Sequence, residues 1–192
     1  MDRIAPLARE NVPAELQPIL EFAEQLIGFV PNDILTMARW PALLHSLTAM
    51  VGEVYGPGEV SDELKMLVGF ISSTASGCSY CQAHTLHGAS EAGTTSAKLA
   101  AAWEFETSDL YTEAERAALR VARGGGSQPN GVTDEDFANL RKHFSEQQIL
   151  EIVAVIGLFG FLNRWNETMA TALETKPEQL FAATLEKRDG ER

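Results

Sequence analysis

An all-α fold in one domain, residues 1–192, is what this sequence predicts. Three observations carry the prediction. Apolar residues recur at three- and four-residue spacing through almost every segment, which is the period of a helix face. No run of alternating β-branched residues reads as a strand. Thr112 precedes Glu115, and Ser145 precedes Gln148, in the pattern of the capping box that starts a helix.

Taken in order, the first helix is "PAELQPILEFAEQLIGFV". Pro13 suits its first turn, and Leu16, Ile19, Leu20, Ala23, Ile27 and Val30 share one stripe. "WPALLHSLTAMVGEVY" forms the next helix, closed by the glycines of Gly56–Gly58. "SDELKMLVGFISSTASG" is an apolar helix that stops at Gly77, and a new helix starts at Cys78 and runs to about Ala92. "TTSAKLAAAWEF" and the capped "TEAERAALRVAR" follow. The segment Gly124–Gly131, "GGGSQPNG", reads as a flexible linker short enough to be a loop within one domain. Beyond it lie the short helix "TDEDFANLRKHF" and the long one "SEQQILEIVAVIGLFGFLNRWNETMATAL". Apolar on nearly every side from Ile152 to Leu162, the long helix is expected to be the buried centre of the domain. The terminal "EKRDGER" is charged and is expected to fray.

A shift of 85 residues lays "LKMLVGFISSTASGCSYC" over "ILEIVAVIGLFGFLNRWN", apolar on apolar through most of a helix. The echo marks candidate duplicated helical units, with halves of about 1–110 and 111–192, in which Asn163 stands where Cys78 does.

Bulk properties narrow the function classes. A chain of 192 residues buries a core without a disulfide or metal staple, so core building is a weak reason for its two cysteines. With 15 Lys and Arg against 27 Asp and Glu, the formal charge of -12 gives no support to a nucleic-acid or anionic-membrane surface. The start, "MDRIAPLARENVP", lacks the apolar run of a secretory signal, and Ile152–Leu162 is too short to span a bilayer. The expectation is therefore a cytoplasmic protein with neither nucleic acid nor membrane as partner. In a reducing compartment, two cysteines separated by two residues point to redox or metal chemistry more than to a permanent crosslink.

Those cysteines lie in "SGCSYCQAHTLHGA". A helix beginning at Cys78 puts both sulfurs in its first turn, where unsatisfied N–H groups and the helix dipole stabilise a thiolate. Residues at i and i+3 are about 60° apart around the axis, close enough to close a small disulfide ring. His84, one turn beyond Cys81, is a candidate base for the thiol proton. His87 faces Glu91 at i+4, an arrangement that favours its protonated form and makes it a second relay candidate. Two other readings stand beside the dithiol. The cysteines can be small buried hydrophobes, or Cys78, Cys81, His84 and His87 can be zinc ligands. Steps of three residues rotate each of those four side chains by about 60°, so they fan over the helix instead of converging on a tetrahedron, and no metal is assigned. Tyr80, between the cysteines, can line a pocket or pack at a subunit interface. Trp40, Trp103 and Trp165 read as core or interface, with Asn163–Trp165 as a candidate pocket wall.

"GCSYCQAH", preceded by an apolar helix and followed by small residues and "EAGTT", resembles the carboxymuconolactone decarboxylase-like superfamily and, within it, the alkyl hydroperoxidase D-like, peroxidase-related branch. The later "LFGFLNR" is similar to an aromatic-Asn-Arg segment of such proteins, so the resemblance covers most of the chain. It implies an alkyl hydroperoxidase D-like helical fold assembled as a homo-oligomer of two, three or six subunits. It also implies a thiol-dependent peroxidase or disulfide reductase that needs no metal or organic cofactor, takes a hydroperoxide or disulfide as substrate and is restored by an external thiol reductant.

Its active site links a glutamate, two cysteines and a histidine in a proton relay. Cys78 and Cys81 match the cysteines, but the histidine position is Thr85 and the glutamate position is Met66. His84 substitutes for the first. Glu63, one turn before Met66, and Glu151, opposite Met66 in the 85-residue comparison, are candidates for the second. Their other readings are a favourable first-turn charge for Glu63 and an ion pair with Arg164 or another basic group for Glu151. Helix position and exposure favour Cys78 as the attacking sulfur, whereas His84 and the family relay favour Cys81. A lactone decarboxylase, the superfamily's other activity, and a non-catalytic binding module are the alternatives.

Overall fold

The computed structural model describes residues 2–190, with Leu26 described in its backbone only. Its described residues form ten α-helices and no strand. They are α1 Gln17–Ile27, α2 Asn32–Met37, α3 Pro41–Val54, α4 Asp62–Ser76, α5 Ser79–Glu91, α6 Ser96–Ala100, α7 Glu113–Gly126, α8 Asp134–Leu140, α9 Glu146–Met169 and α10 Thr175–Gly190. Short 3₁₀ turns sit at Arg9–Asn11, Ala14–Leu16 and Ala101–Glu104.

Local chemistry starts most of these helices where the sequence says it should. Both predicted capping boxes form, at Thr112 and Ser145, and Thr133 with Asp136 makes a third. Ser61 caps α4 and Thr95 caps α6 through side-chain oxygens that accept Leu64 and Lys98 N–H. Each such cap is worth about 1 kcal/mol. The first predicted helix is broken differently: Pro13 leads a 3₁₀ turn, and α1 begins at Gln17 with Pro18 in its opening turn.

The main core is built around α4. Leu64, Leu67, Val68, Phe70 and Ile71 are buried between α5, α7 and α9. A smaller cluster of Leu16, Leu20, Met37 and Leu44 roofs it from the N-terminal side.

Four expectations change. Gly124–Gly126 are not linker but the last turn of α7. A Cβ at Gly126 would strike the backbone of Ser72, so the glycine lets α7 and α4 approach more closely than a side chain allows, and this packing overrides the low helix propensity of glycine. The long helix α9 is only half enclosed. Ile152, Val155, Leu158 and Phe159 are buried, while Leu150 is 64% exposed and Val153 and Phe161 lie open on the other face. An all-round apolar pattern does not say which faces will find a partner. At 24 residues, α9 also has the length and composition of a bilayer span, yet its buried face packs on α3, α4, α5 and α7. Finally, Glu186–Gly190 of the predicted frayed tail are helical in α10, while Glu191 and Arg192 lie outside the described residues.

Two short segments unassigned by periodicity, α2 and the start of α10, come to rest against α5 and position the candidate site. The 85-residue shift lays α4 on the front of α9, both helical, as far as Gly77. There the first copy breaks into two helices and the second runs on as one.

Candidate active site

Gly77 creates the site's geometry. It ends α4 in the left-handed conformation, with φ 78°, and Cys78 then caps α5 with extended backbone. Cys78 Sγ accepts the Cys81 N–H at 3.4 Å, at the positive end of the helix dipole. Both thiols are free and both are buried, so exposure does not favour Cys78 as the sequence suggested. The Cys81 thiol is pushed well above its usual pKa, first by its hydrogen bond with Cys78 and then by burial. Cys81 is therefore the sulfur held in its thiol form, while Cys78 is the sulfur at the helix start.

From Cys81 a chain of polar contacts leads outward. Asn166 Nδ2, on α9, lies 3.5 Å from Cys81 Sγ and donates to Asp33 Oδ2 at 3.2 Å. Asp33, in the first turn of α2, has its carboxyl raised by burial, which outweighs the lowering effects of His84 and Asn166. Its backbone N–H lies 3.5 Å from the Tyr80 hydroxyl. That hydroxyl donates to Glu174 Oε1 at 2.8 Å, and the other carboxylate oxygen meets His84 Nε2 at 2.6 Å. Glu174, at the entry to α10, also accepts the Asn32 N–H at 2.5 Å. Burial pushes the Glu174 carboxyl up, but its bond to His84 and the neighbouring donors prevail and hold it below the usual carboxylate range. The Tyr80 phenol is driven far above its ordinary pKa by burial and by the Asp33 and Glu174 charges, so it stays a donor. Its ring stacks on His84 at 4.3 Å, and Phe29 closes the other side of the imidazole edge-on at 5.5 Å.

The predicted residues divide clearly. Cys78, Cys81, Tyr80 and His84 come together, with Tyr80 bonded to a carboxylate inside the network. Glu63 and Glu151 do not reach His84. Glu63 pairs with Lys98 at 3.0 Å, and Glu151 accepts the backbone N–H groups of Glu59 and Val60 at 3.0 Å each while pairing with buried Lys65 at 3.3 Å. Arg164, the partner named for Glu151, instead donates to the Gly160 carbonyl. His87 is buried beside Phe29, its Nε2 3.4 Å from the Ile27 carbonyl. Burial dominates there and lowers its pKa, which overturns the protonated form expected from Glu91. Among the described residues no cluster of His, Cys, Asp and Glu is arranged to hold a metal ion. Trp40, read as core or interface, is 63% exposed.

Sequence reasoning missed Asp33, Glu174 and Asn166. The signal for Asn166 was present, since the 85-residue shift lays it on Cys81. Asp33 and Glu174 sit at helix entries in short segments without apolar periodicity, and a carboxylate at a helix entry is also what a cap looks like.

Fold and site together define a class: small all-helical proteins that present a dithiol at a helix start, beside a half-buried histidine–carboxylate pair. The profile of the carboxymuconolactone decarboxylase family matches residues 41–124. The debrominase Bmp8 is 38% identical and aligns over 95% of this chain and 97% of its own, with a TM-score of 0.89. A cysteine-to-alanine variant of Bmp8 in complex with 2,3,4-tribromopyrrole gives 37% identity and a TM-score of 0.90, over 96% and 98% of the two chains. An alkylhydroperoxidase AhpD core protein, peroxidase-related, from Ralstonia eutropha JMP134 shares the fold, with a TM-score of 0.82 over 92% and 94% at 21% identity. The chain belongs to one family with the debrominase Bmp8, carries the carboxymuconolactone decarboxylase family match over residues 41–124, and shares its fold with the alkylhydroperoxidase AhpD core protein.

Proposed function

We propose that the protein is a thiol-dependent oxidoreductase in which Cys78 and Cys81 together deliver two electrons to a small electrophile and close to a disulfide. The observation that carries the reading is the unbroken run of contacts from Cys81 through Asn166, Asp33, Tyr80 and Glu174 to His84, which joins a dithiol to groups able to give and take protons. Similarity to the debrominase Bmp8 supports a halogenated small aromatic as the electron acceptor.

The chemistry balances on that acceptor. A proton supplied through His84 or Asp33 adds to the halogen-bearing ring carbon. The Cys78 thiolate forms a bond to the halogen as the carbon–halogen bond breaks, and that electron pair returns to the ring. Cys81, deprotonated in turn, attacks the Cys78 sulfur and expels halide. The two thiols are oxidised to the disulfide, the arene gains hydrogen, and the second thiol proton leaves with the halide. An external thiol restores the dithiol by exchange.

A hydroperoxide is the second reading. It is favoured by the helix-start position of Cys78: there the thiolate attacks the peroxide oxygen, an alcohol leaves, and Cys81 resolves the sulfenic acid with loss of water. The same dithiol serves both, and a cytoplasmic setting supplies the reductant for either. Self-association belongs to this proposal as well, supported by the open apolar face of α9 that carries Leu150, Val153 and Phe161.

The test counts free thiols after one equivalent of 2,3,4-tribromopyrrole or tert-butyl hydroperoxide in wild type, Cys78→Ser and Cys81→Ser. Wild type should lose two thiols. Cys81→Ser should still react once, giving a trapped adduct at Cys78, and Cys78→Ser should react at least tenfold more slowly. Two persistent thiols with both oxidants would refute the reading. Turnover of a muconolactone by the double serine variant would point to the decarboxylase.

A further inference from the structure

Asn163 lies on α9 and is 3% exposed, yet among the described residues neither its Nδ2 nor its Oδ1 has a hydrogen-bond partner. An amide left unpaired in a protein interior is costly, and an apolar side chain of similar shape would serve packing better. Its neighbours on the same helix face locate it. One turn onward, Asn166 touches Cys81 Sγ. One turn back, the Phe159 ring packs where Gly69 faces Thr85, and Thr85 is one turn past Cys81 on α5 and donates to the Cys81 carbonyl at 2.7 Å. Asn163 is thus bracketed on both sides by contacts to the dithiol helix. Two further buried polar atoms lack partners in this region, Asn166 Oδ1 and Tyr55 Oη. Tyr55 is near enough to Cys81 for its charge to add to the burial that raises the phenol's pKa.

We propose that Asn163, with Asn166 Oδ1 and Tyr55 Oη, is the substrate-recognition site, and that it selects small neutral molecules carrying an N–H or O–H donor beside an acceptor. The carboxamide offers one donor and one acceptor, so it pairs with a polar group that does both. Charge sharpens the choice. Asn166, whose Oδ1 belongs to this site, donates its Nδ2 to Asp33 Oδ2 at 3.2 Å, which puts an acidic side chain at the site's edge. A carboxylate-bearing substrate would meet that acidic group. The proposal rests on the dithiol reading and assigns its substrate class. Asn163 binds substrate; it moves no proton.

The experiment is a binding comparison by calorimetry in the Cys78→Ser/Cys81→Ser background, with 2,3,4-tribromopyrrole and its N-methyl analogue as probes. The N-methyl group removes the only donor. A site built to hydrogen-bond an N–H rejects the analogue lacking it, by tenfold or more. With Asn163 present, the analogue should bind at least tenfold more weakly. In Asn163→Leu the two probes should bind within about threefold of each other, with a Tm equal to or above that of the parent, because an unpaired amide has been replaced by an apolar group. Retained tenfold discrimination in Asn163→Leu would overturn the proposal, and so would a Tm lower by several degrees, which would make the amide structural.

Wild-type thiol consumption separates this failure from that of the parent reading. If tribromopyrrole consumes thiols but the N–H makes no difference, recognition by Asn163 fails and the dithiol chemistry stands. If only hydroperoxide consumes thiols, the same comparison uses rates with tert-butyl hydroperoxide and di-tert-butyl peroxide, which lacks the O–H. Asn163→Leu must then slow the hydroperoxide at least tenfold more than the dialkyl peroxide, and equal slowing refutes the assignment. If neither oxidant consumes thiols, both readings fall.

Discussion

Glu151→Gln separates a structural carboxylate from a catalytic one. Glu151 receives N–H donations from the Glu59 backbone first and, against the opposing pull of burial, from Val60, Gln147 and Lys65, which together hold its pKa at about 2 instead of 4.5. At about 1.36 kcal/mol for each pH unit, that fall stabilises the folded state by about 3 kcal/mol near neutrality. The glutamine keeps the shape but leaves the Lys65 ammonium, 1% exposed, with the Gly56 carbonyl at 3.3 Å as its remaining partner. Breaking a buried pair from one side costs about 3–5 kcal/mol, the same order as the stabilisation that the depressed carboxyl carries.

For a domain of this size, a loss of about 3 kcal/mol lowers Tm by roughly 6–12 °C. The sign with pH follows from the depressed carboxyl: the stabilisation is complete above the ordinary value of 4.5 and is lost as pH falls from there to about 2. Wild type and Glu151→Gln should therefore differ most at pH 7 and converge near pH 2. Calorimetric melts over that range measure the difference, and thiol titration with the oxidant measures function. Dithiol oxidation should be unchanged in the folded variant. A Tm within 2 °C of wild type at pH 7, or thiol oxidation slowed tenfold without destabilisation, would refute the structural assignment.

Glu174→Gln keeps an acceptor for the Asn32 N–H and the Tyr80 hydroxyl but removes the charge beside His84, a hydrogen-bond term of about 1.5–3 kcal/mol. Stopped-flow thiol oxidation should slow roughly tenfold or more, and an unchanged rate and pH profile would remove Glu174 from the relay. Because the Glu174 carboxyl is held below its usual range, it adds stability above that range that is lost on acidification, so Glu174→Gln should lose less stability than wild type on going to low pH. Gly77→Ala places a Cβ on a residue with φ 78° at a cost of about 1–2 kcal/mol, and scanning calorimetry should find Tm lower by roughly 2–8 °C. Phe161→Asp on the open face of α9 should abolish the proposed self-association, read by light scattering, without lowering thiol reactivity; a wild type that is already monomeric at working concentration would refute self-association through this face.

The sequence alone determined the features whose cause is local. Helical periodicity is read within a few turns, and the capping boxes at Thr112 and Ser145 act across three residues, so the helix class and many helix starts were legible. The dithiol was legible for the same reason. Gly77, Cys78, Cys81, Tyr80 and His84 lie within eight residues, and the geometry of one helix start relates them. Which carboxylate serves His84 was decided only by tertiary structure. Glu63 and Glu151 were near in sequence or in register, but Lys98 and Lys65 pack against them from other helices. Glu174 reaches His84 across 90 residues because α10 docks on α5, and Asp33 reaches Asn166 across 133. The exposed face of α9 escaped the sequence for the same reason, since apolarity marks a residue that can be buried and only packing chooses what covers it. The orphaned amide of Asn163 is the extreme case: an asparagine mid-helix says little by itself, and only its burial without a partner, one turn from Asn166, singles it out as the proposed binding group.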